Sequence, residues 1–154
     1  MAAKSQKIFS FKGQIAIVAS SFNDFITKPL LHSCLKQLKH QGVSDRQITT
    51  VWVPGSFEIP VTALKLAKKK NIDAIICLGA VIKGDTYHFE VVANECARGL
   101  MEVGLRTGKP VVMGVLTTDT VAQAQKRAQE KIGFDKGRDA AITALEMINL
   151  FRKI

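Results

Sequence analysis

A chain of 154 residues can bury a full core in one domain, and a composition of 47% hydrophobic and 23% charged residues excludes a disordered protein. No apolar run approaches the roughly 20 residues of a membrane-spanning helix, and Met1 to Lys7 lack an apolar signal-peptide core, so a cytoplasmic protein with no membrane partner is expected. A net charge of +9 raises nucleic acid as a partner, but the basic residues are dispersed over helix ends and the aromatics, 6% of the chain, are not interleaved with them; solvated helix faces are the expectation, with no nucleic acid.

Gln14 to Ser20 reads as a first interior strand, and Asp24 to Gln41 as a helix with Leu30, Leu31, Cys34, Leu35 and Leu38 at helical spacing. Pro29 leaves the start of that helix open, and Gly42 is a stop signal. Ile48 to Val53 is β-branched and reads as the second strand. A short helix from Ile59 to Lys70 is expected to turn Val61, Leu64 and Leu66 inward. Asp73 to Ile82 reads as the third strand, His88 to Arg106 as the third helix, and Pro110 to Leu116 as the fourth strand. Thr120 to Gln123 has the form of a capping box and opens a helix towards Lys131, with Arg127 and Lys131 on one face. Gly133 and Gly137 bracket a turn, and Arg138 to Phe151 forms a last helix that offers Ala141, Ala144, Leu145, Ile148 and Leu150 for burial. Lys7 to Phe11 is a candidate for a short edge strand.

Continuous rather than alternating apolar strands, separated by helices, imply a parallel sheet covered on both faces. The expected architecture is a three-layer α/β/α sandwich, with a flavodoxin-like four-stranded parallel sheet and a short N-terminal edge strand, in one domain over residues 1–154. Cys34, Cys77 and Cys96 are odd in number, widely spaced and set among apolar residues, which points to reduced core thiols and to neither disulfides nor a metal site.

The unusual residues gather where the strands end: Ser21 to Asp24, Pro54 to Pro60, Lys83 to His88, and Thr117 to Asp119. Parallel strands bring these four segments to one rim, where open α/β sheets bind ligands. Phe22 can stack on a flat heterocycle or staple the following helix. Glu58 can accept from ligand hydroxyls and amines or cap its helix. Gly84, Asp85 and Thr86 suit either a phosphate at a helix N-terminus or an ordinary cap. His88 can move protons near neutral pH or be structural, and Arg127 can fork onto a phosphate or lie on a solvated face. His32 and His40 read as helix-surface residues.

Taken together, Phe22-Asn23, Val53 to Pro60, Gly79 to Phe89 and Gly114 to Thr118 resemble the lumazine synthase (6,7-dimethyl-8-ribityllumazine synthase) family in order and spacing. Gln123-Ala124, Arg127-Ala128 and the tail Ala144 to Asn149 extend that resemblance over nearly the whole chain. It implies a transferase of the penultimate step of riboflavin synthesis, condensing 5-amino-6-(D-ribitylamino)uracil with 3,4-dihydroxy-2-butanone 4-phosphate and releasing phosphate and water. By the family's pattern, Phe22 stacks on the pyrimidine, while Ser56, Phe57, Glu58, Ala80, Val81, Ile82 and Met113 hold that substrate. Asp85, Thr86 and Arg127 bind phosphate, His88 is the proton donor and acceptor, and Asn23 and Lys136 are further candidates. No metal and no cofactor are implied. Met113 and Arg127 would come from an adjacent subunit, so the active site would form only between subunits.

Four positions depart from the pattern. Ser21 stands where Arg is usual, Asp85 where a smaller residue or Glu is usual, and Met113 where Phe is common. Gly133 to Gly137 is one residue longer than the family's Gly-Asn-Lys-Gly. Family members with insertions at that turn tend not to form icosahedral shells, so a homopentamer or a pair of pentamers is the expectation. The competing readings are a non-catalytic flavin- or lumazine-binding protein of the same fold, which does not need His88 and Arg127 together, and a flavodoxin-like electron carrier. The carrier conflicts with the glycine-free Ser20-Ser21-Phe22-Asn23-Asp24 turn and with the basic charge.

Overall fold

The structure, a computed structural model, describes residues 11–154. Strands and helices alternate as β1 (Ile15–Ser20), α1 (Asp24–His40), β2 (Ile48–Val53), α2 (Ile59–Ala67), β3 (Ala74–Ile82), α3 (His88–Thr107), β4 (Val111–Thr118), α4 (Val121–Arg127) and α5 (Lys136–Phe151). All ladders are parallel and the sheet order is β2-β1-β3-β4. Every residue of β1 is buried, because β1 is flanked by two strands and covered on both faces. Ala16 and Val18, with Ile75 and Cys77 of β3, face the α2 and α3 layer. Ile15, Ile17, Ile76 and Leu78 face α1 and α5. Each such wholly buried aliphatic side chain contributes about 1.5–3 kcal/mol, so the three layers follow from the period-two strand and the apolar helix stripes. Among the described residues, no helix is long and apolar enough to cross a membrane.

The expected strand Lys7 to Phe11 lies outside the described residues except for Phe11, which is buried under the α1 and α5 layer. The second strand is not covered on both faces. As a sheet edge, β2 leaves Thr49, Thr50 and Trp52 exposed. Val61 and Leu150 also point outward rather than into the core. Pro29 sits inside α1, less than one turn before its middle, without ending it.

Several helix ends differ from the periodicity. The second helix stops at Ala67, because the chain must turn to drop Ile72 into the core before β3; the Lys69 N–H donates to Leu66 O in that turn. The fourth helix stops at Arg127, so Lys131 lies beyond it and shares no helix face with Arg127. Its cap is real but displaced: Thr120 Oγ1 accepts from the Gln123 N–H at 3.1 Å, while Gln123 Oε1 accepts from the Asp119 N–H, not from Thr120. The last helix begins two residues early because Asp135 caps it, accepting from the Arg138 N–H at 2.9 Å. Ser33 of α1 donates to the same buried carboxylate at 2.6 Å. Gly137 therefore belongs to α5 rather than to a turn. Its missing side chain lets α5 lie against α1, since a β-carbon there would fall 2.2 Å from Leu30 O.

A Gly137→Ala variant is expected to lose at least about 1–3 kcal/mol in urea denaturation, because the clash is with backbone. Gly84→Ala, whose β-carbon would meet nothing within 4 Å, stays within about 0.5 kcal/mol. Burial pushes the Cys34 thiol up to about 12, with Asp135 adding to it, and burial pushes Cys96 up to about 11 and Cys77 higher still. All three stay protonated thiols at pH 8, so a disulfide reagent should find none in the native protein and all three after unfolding in urea.

Candidate active site

The loop after β1 is hydrogen-bonded along the exit of β2: the Ser21 N–H donates to Val53 O at 2.8 Å and the Phe22 N–H to Pro54 O at 2.9 Å. Asn23 then takes the left-handed conformation, φ 59°, which Asn tolerates better than most residues. That turn lets its carbonyl accept from the Ile26 and Thr27 N–H groups and start α1. Its side chain reaches the other way, with Nδ2 donating to Ala80 O at 2.9 Å near the end of β3. Asn23 thus spans the gap between β1 and β3, the switch point of the sheet.

A cleft of about 680 Å³ opens at this point. It is lined by Phe22 and Asn23 from β1's exit, Pro54 to Glu58 from β2's exit, Ala80 to Ile82 with Gly84 and Thr86 from β3's exit, and His88, Phe89, Val91 and Val92 from α3. A groove of about 780 Å³ beside α1 is larger, but its Lys28 and Glu130 are held in ion pairs with Asp24 and Lys36.

The local structure decides between the alternative roles of several residues. Phe22 is 71% exposed on the cleft wall, so it does not staple α1. Glu58 makes no side-chain cap to α2; its carboxylate sits over Gly55, where a β-carbon would be 3.0 Å from Oε2. The N-cap position of α3 is Tyr87 and makes no side-chain cap; Thr86, just before it, makes a long contact, its Oγ1 accepting from the His88 N–H at 3.4 Å. Gly84 is not in the left-handed region, so its role is openness rather than backbone freedom. His88 is exposed at the start of α3, on the cleft.

The cleft gathers His88, Phe22, Asn23, Ser56, Phe57, Glu58, Ala80, Val81, Ile82 and Thr86. It does not include Asp85, Met113, Arg127 or Lys136. Met113 is 43% exposed in the middle of β4, opposite Cys77 and on the edge strand away from β1 and β2. The Arg127 guanidinium donates to Gln123 O at 3.1 Å at the end of α4, and Lys136 pairs with Asp139 at 3.0 Å. Among the described lining residues there is no Lys or Arg. Phe89, Val91 and Val92 are lining residues that motif reading passed over. Their signal was three apolar residues within the four after the histidine, interrupted by Glu90, of which Val91 is still 42% exposed. Among the described residues, no group of three His, Cys, Asp or Glu side chains could hold a metal.

A flavodoxin-like parallel sheet whose exits frame an aromatic wall, a carboxylate and an imidazole defines a small-molecule enzyme of the α/β class. The family model described as 6,7-dimethyl-8-ribityllumazine synthase matches residues 12–152, and the chain belongs to that family. It is a transferase with lumazine synthase activity in riboflavin biosynthesis.

Asn23→Ala forces Ala into the left-handed region and removes the bond to Ala80, and is expected to lower stability by about 1–3 kcal/mol. Asn23→Gly keeps the backbone conformation and loses only the side-chain bond, so its loss should be smaller; urea denaturation of both variants separates the two contributions.

Proposed function

We propose that this chain, one lumazine-synthase-like domain over residues 1–154, condenses 5-amino-6-(D-ribitylamino)uracil with 3,4-dihydroxy-2-butanone 4-phosphate, releasing phosphate and water. The observation that carries the reading is the convergence of Phe22, Ser56 to Glu58, Ala80 to Ile82, Thr86 and His88 on one cleft in a chain of this family. The bare ring of Phe22 stacks on the pyrimidine. Ser56, Phe57 and the uncapped carboxylate of Glu58 hold the ribityl-bearing substrate, with the β3 exit supplying Ala80, Val81 and Ile82.

The amine of the uracil adds to the ketone and loses water, the phosphate leaves by elimination, and ring closure expels a second water. Every step moves protons and leaving groups without net oxidation, so the need is for positioning and a proton carrier; His88, an exposed imidazole lining the cleft, supports that reading.

A phosphate ester needs cations, and the cleft of a single chain has none among its described lining residues. This supports a site shared between copies, in which Arg127 and Met113 of one copy complete the cleft of the next, with Asp85 and Thr86 at the phosphate loop. The β4 and α4 side of one copy against the β1 and β2 side of another is a head-to-tail contact, of the kind that forms a ring when its rotation closes. Apolar side chains left bare on α3, Met101 at 66% and Leu105 at 77% exposure, favour such an assembly. We assign a homopentamer or a pair of pentamers, acting in the cytoplasm, where the buried thiols stay reduced. Lys136, tied to Asp139, is a supporting candidate only after that pair opens.

Mixing the purified protein with both substrates and following lumazine absorbance and phosphate release tests the reaction. His88→Ala is expected to lower kcat about 100-fold or more. Arg127→Ala should raise KM for the phosphorylated substrate about tenfold or more. Hybrid oligomers co-assembled from the two variants should regain activity, since some sites then contain both residues. No rate above the uncatalysed background in a folded, oligomeric sample would sink the reading, and a shell-sized particle in light scattering would overturn the assembly.

A further inference from the structure

Ser20 is the last residue of β1, is wholly buried, and has no hydrogen-bond partner for its hydroxyl. A buried hydroxyl left unpaired costs about 1–3 kcal/mol, and such a group in a native structure calls for a physical reason. Its neighbours supply one. Ser20 follows Ala19, which pairs with Leu78, so Ser20 lies beside Gly79 of β3. A β-carbon on Gly79 would fall 2.5 Å from Ser20 Oγ and 3.1 Å from Ser56 Oγ. The two hydroxyls therefore converge on the space that residue 79 leaves empty by lacking a side chain.

Ser56 lines the cleft, whereas Ser20 lies beneath it. The Ser20 oxygen has almost no accessible surface, so no water sits beside it and only a direct contact can satisfy it. The two serines are not bonded in the present rotamers, but both oxygens already border the space beside Gly79, so a bond between them requires only a local side-chain adjustment there.

We propose that Ser20 is a positioning residue: with the cleft filled, its hydroxyl donates to Ser56 Oγ, which leaves the Ser56 proton directed at an acceptor oxygen of the ligand. A hydroxyl that already accepts is the stronger donor, so the pair selects a carbonyl or hydroxyl oxygen at that point of the cleft over an amine. The inference rests on the substrate reading above, in which the uracil ring presents such carbonyl oxygens.

The test is a double-mutant cycle on the full oligomer with Ser20→Ala, Ser56→Ala and the double variant. Each single change should raise KM for the ribitylaminouracil about 2- to 10-fold, with the effect falling on that KM rather than on kcat or on KM for the phosphorylated substrate. The double variant should be no worse than Ser56→Ala alone. Independent, multiplying effects would overturn the proposal. So would a Ser20→Ala variant with a raised Tm and unchanged KM, since that is the behaviour of a hydroxyl that is merely unpaired. If the wild type turns over neither substrate, the proposed reaction fails. The pair is then decided by thermal unfolding of wild type and the three variants with and without the ribitylaminouracil: non-additive losses of the ligand-induced rise in Tm keep the contact, and additive losses, or no coupling with ligand present, remove it.

Discussion

The cleft depends on the hydrogen bond from Asn23 to Ala80 O. It joins the exits of two parallel strands whose residues are 57 positions apart, across the gap that opens between helices of opposite layers. Backbone bonds from Ser21 and Phe22 to Val53 and Pro54 tie in the third exit. Three loops that polar sequence alone would leave mobile are thereby held to one another. The aromatic wall, the carboxylate turn and the imidazole keep their separations because of it. The left-handed backbone of Asn23 is the local cost of facing α1 with the carbonyl and β3 with the side chain.

Charge is distributed against the chemistry one chain would have to do. The protein is basic by nine charges, yet the described lining of its cleft holds no Lys or Arg. Cations accumulate instead at the far ends of α2 and α3, around Lys68, Lys70, Arg106 and Lys109, and along α4. The cleft of one chain therefore offers an anion no lysine or arginine among its described lining residues. Met113 lies exposed on β4, and Arg127 bonds a carbonyl of its own helix, Gln123 O, away from the cleft.

On the other layer, the buried Asp135 carboxylate bonds Ser33 of α1 and the first turn of α5, and Gly137 allows the backbones to approach. This clamp fixes where α5 starts against α1. The turn itself carries Ile132, 98% exposed.

The order of strands and helices was legible in the sequence, because β-branched runs and helical stripes reflect burial periodicities that each segment carries by itself. The rim was legible too, since parallel strands must end together and Phe22, Glu58 and His88 each follow a strand. Other features were decided by contacts remote in sequence. Ala67 and Arg127 end their helices because Ile72 and Asp135 must reach the core and Ser33, and no local signal records those destinations. Glu58 and Thr86 look alike as cap residues, and only the folded turns show that Thr86 reaches the His88 N–H of α3 while the Glu58 side chain makes no cap to α2. Ser20 is an ordinary strand residue by pattern; its unpaired hydroxyl exists only because Gly79 and Ser56 meet it in space. Local propensity and hydrophobic period act within a few residues of the chain, whereas a buried polar group is judged by whatever the whole fold brings beside it.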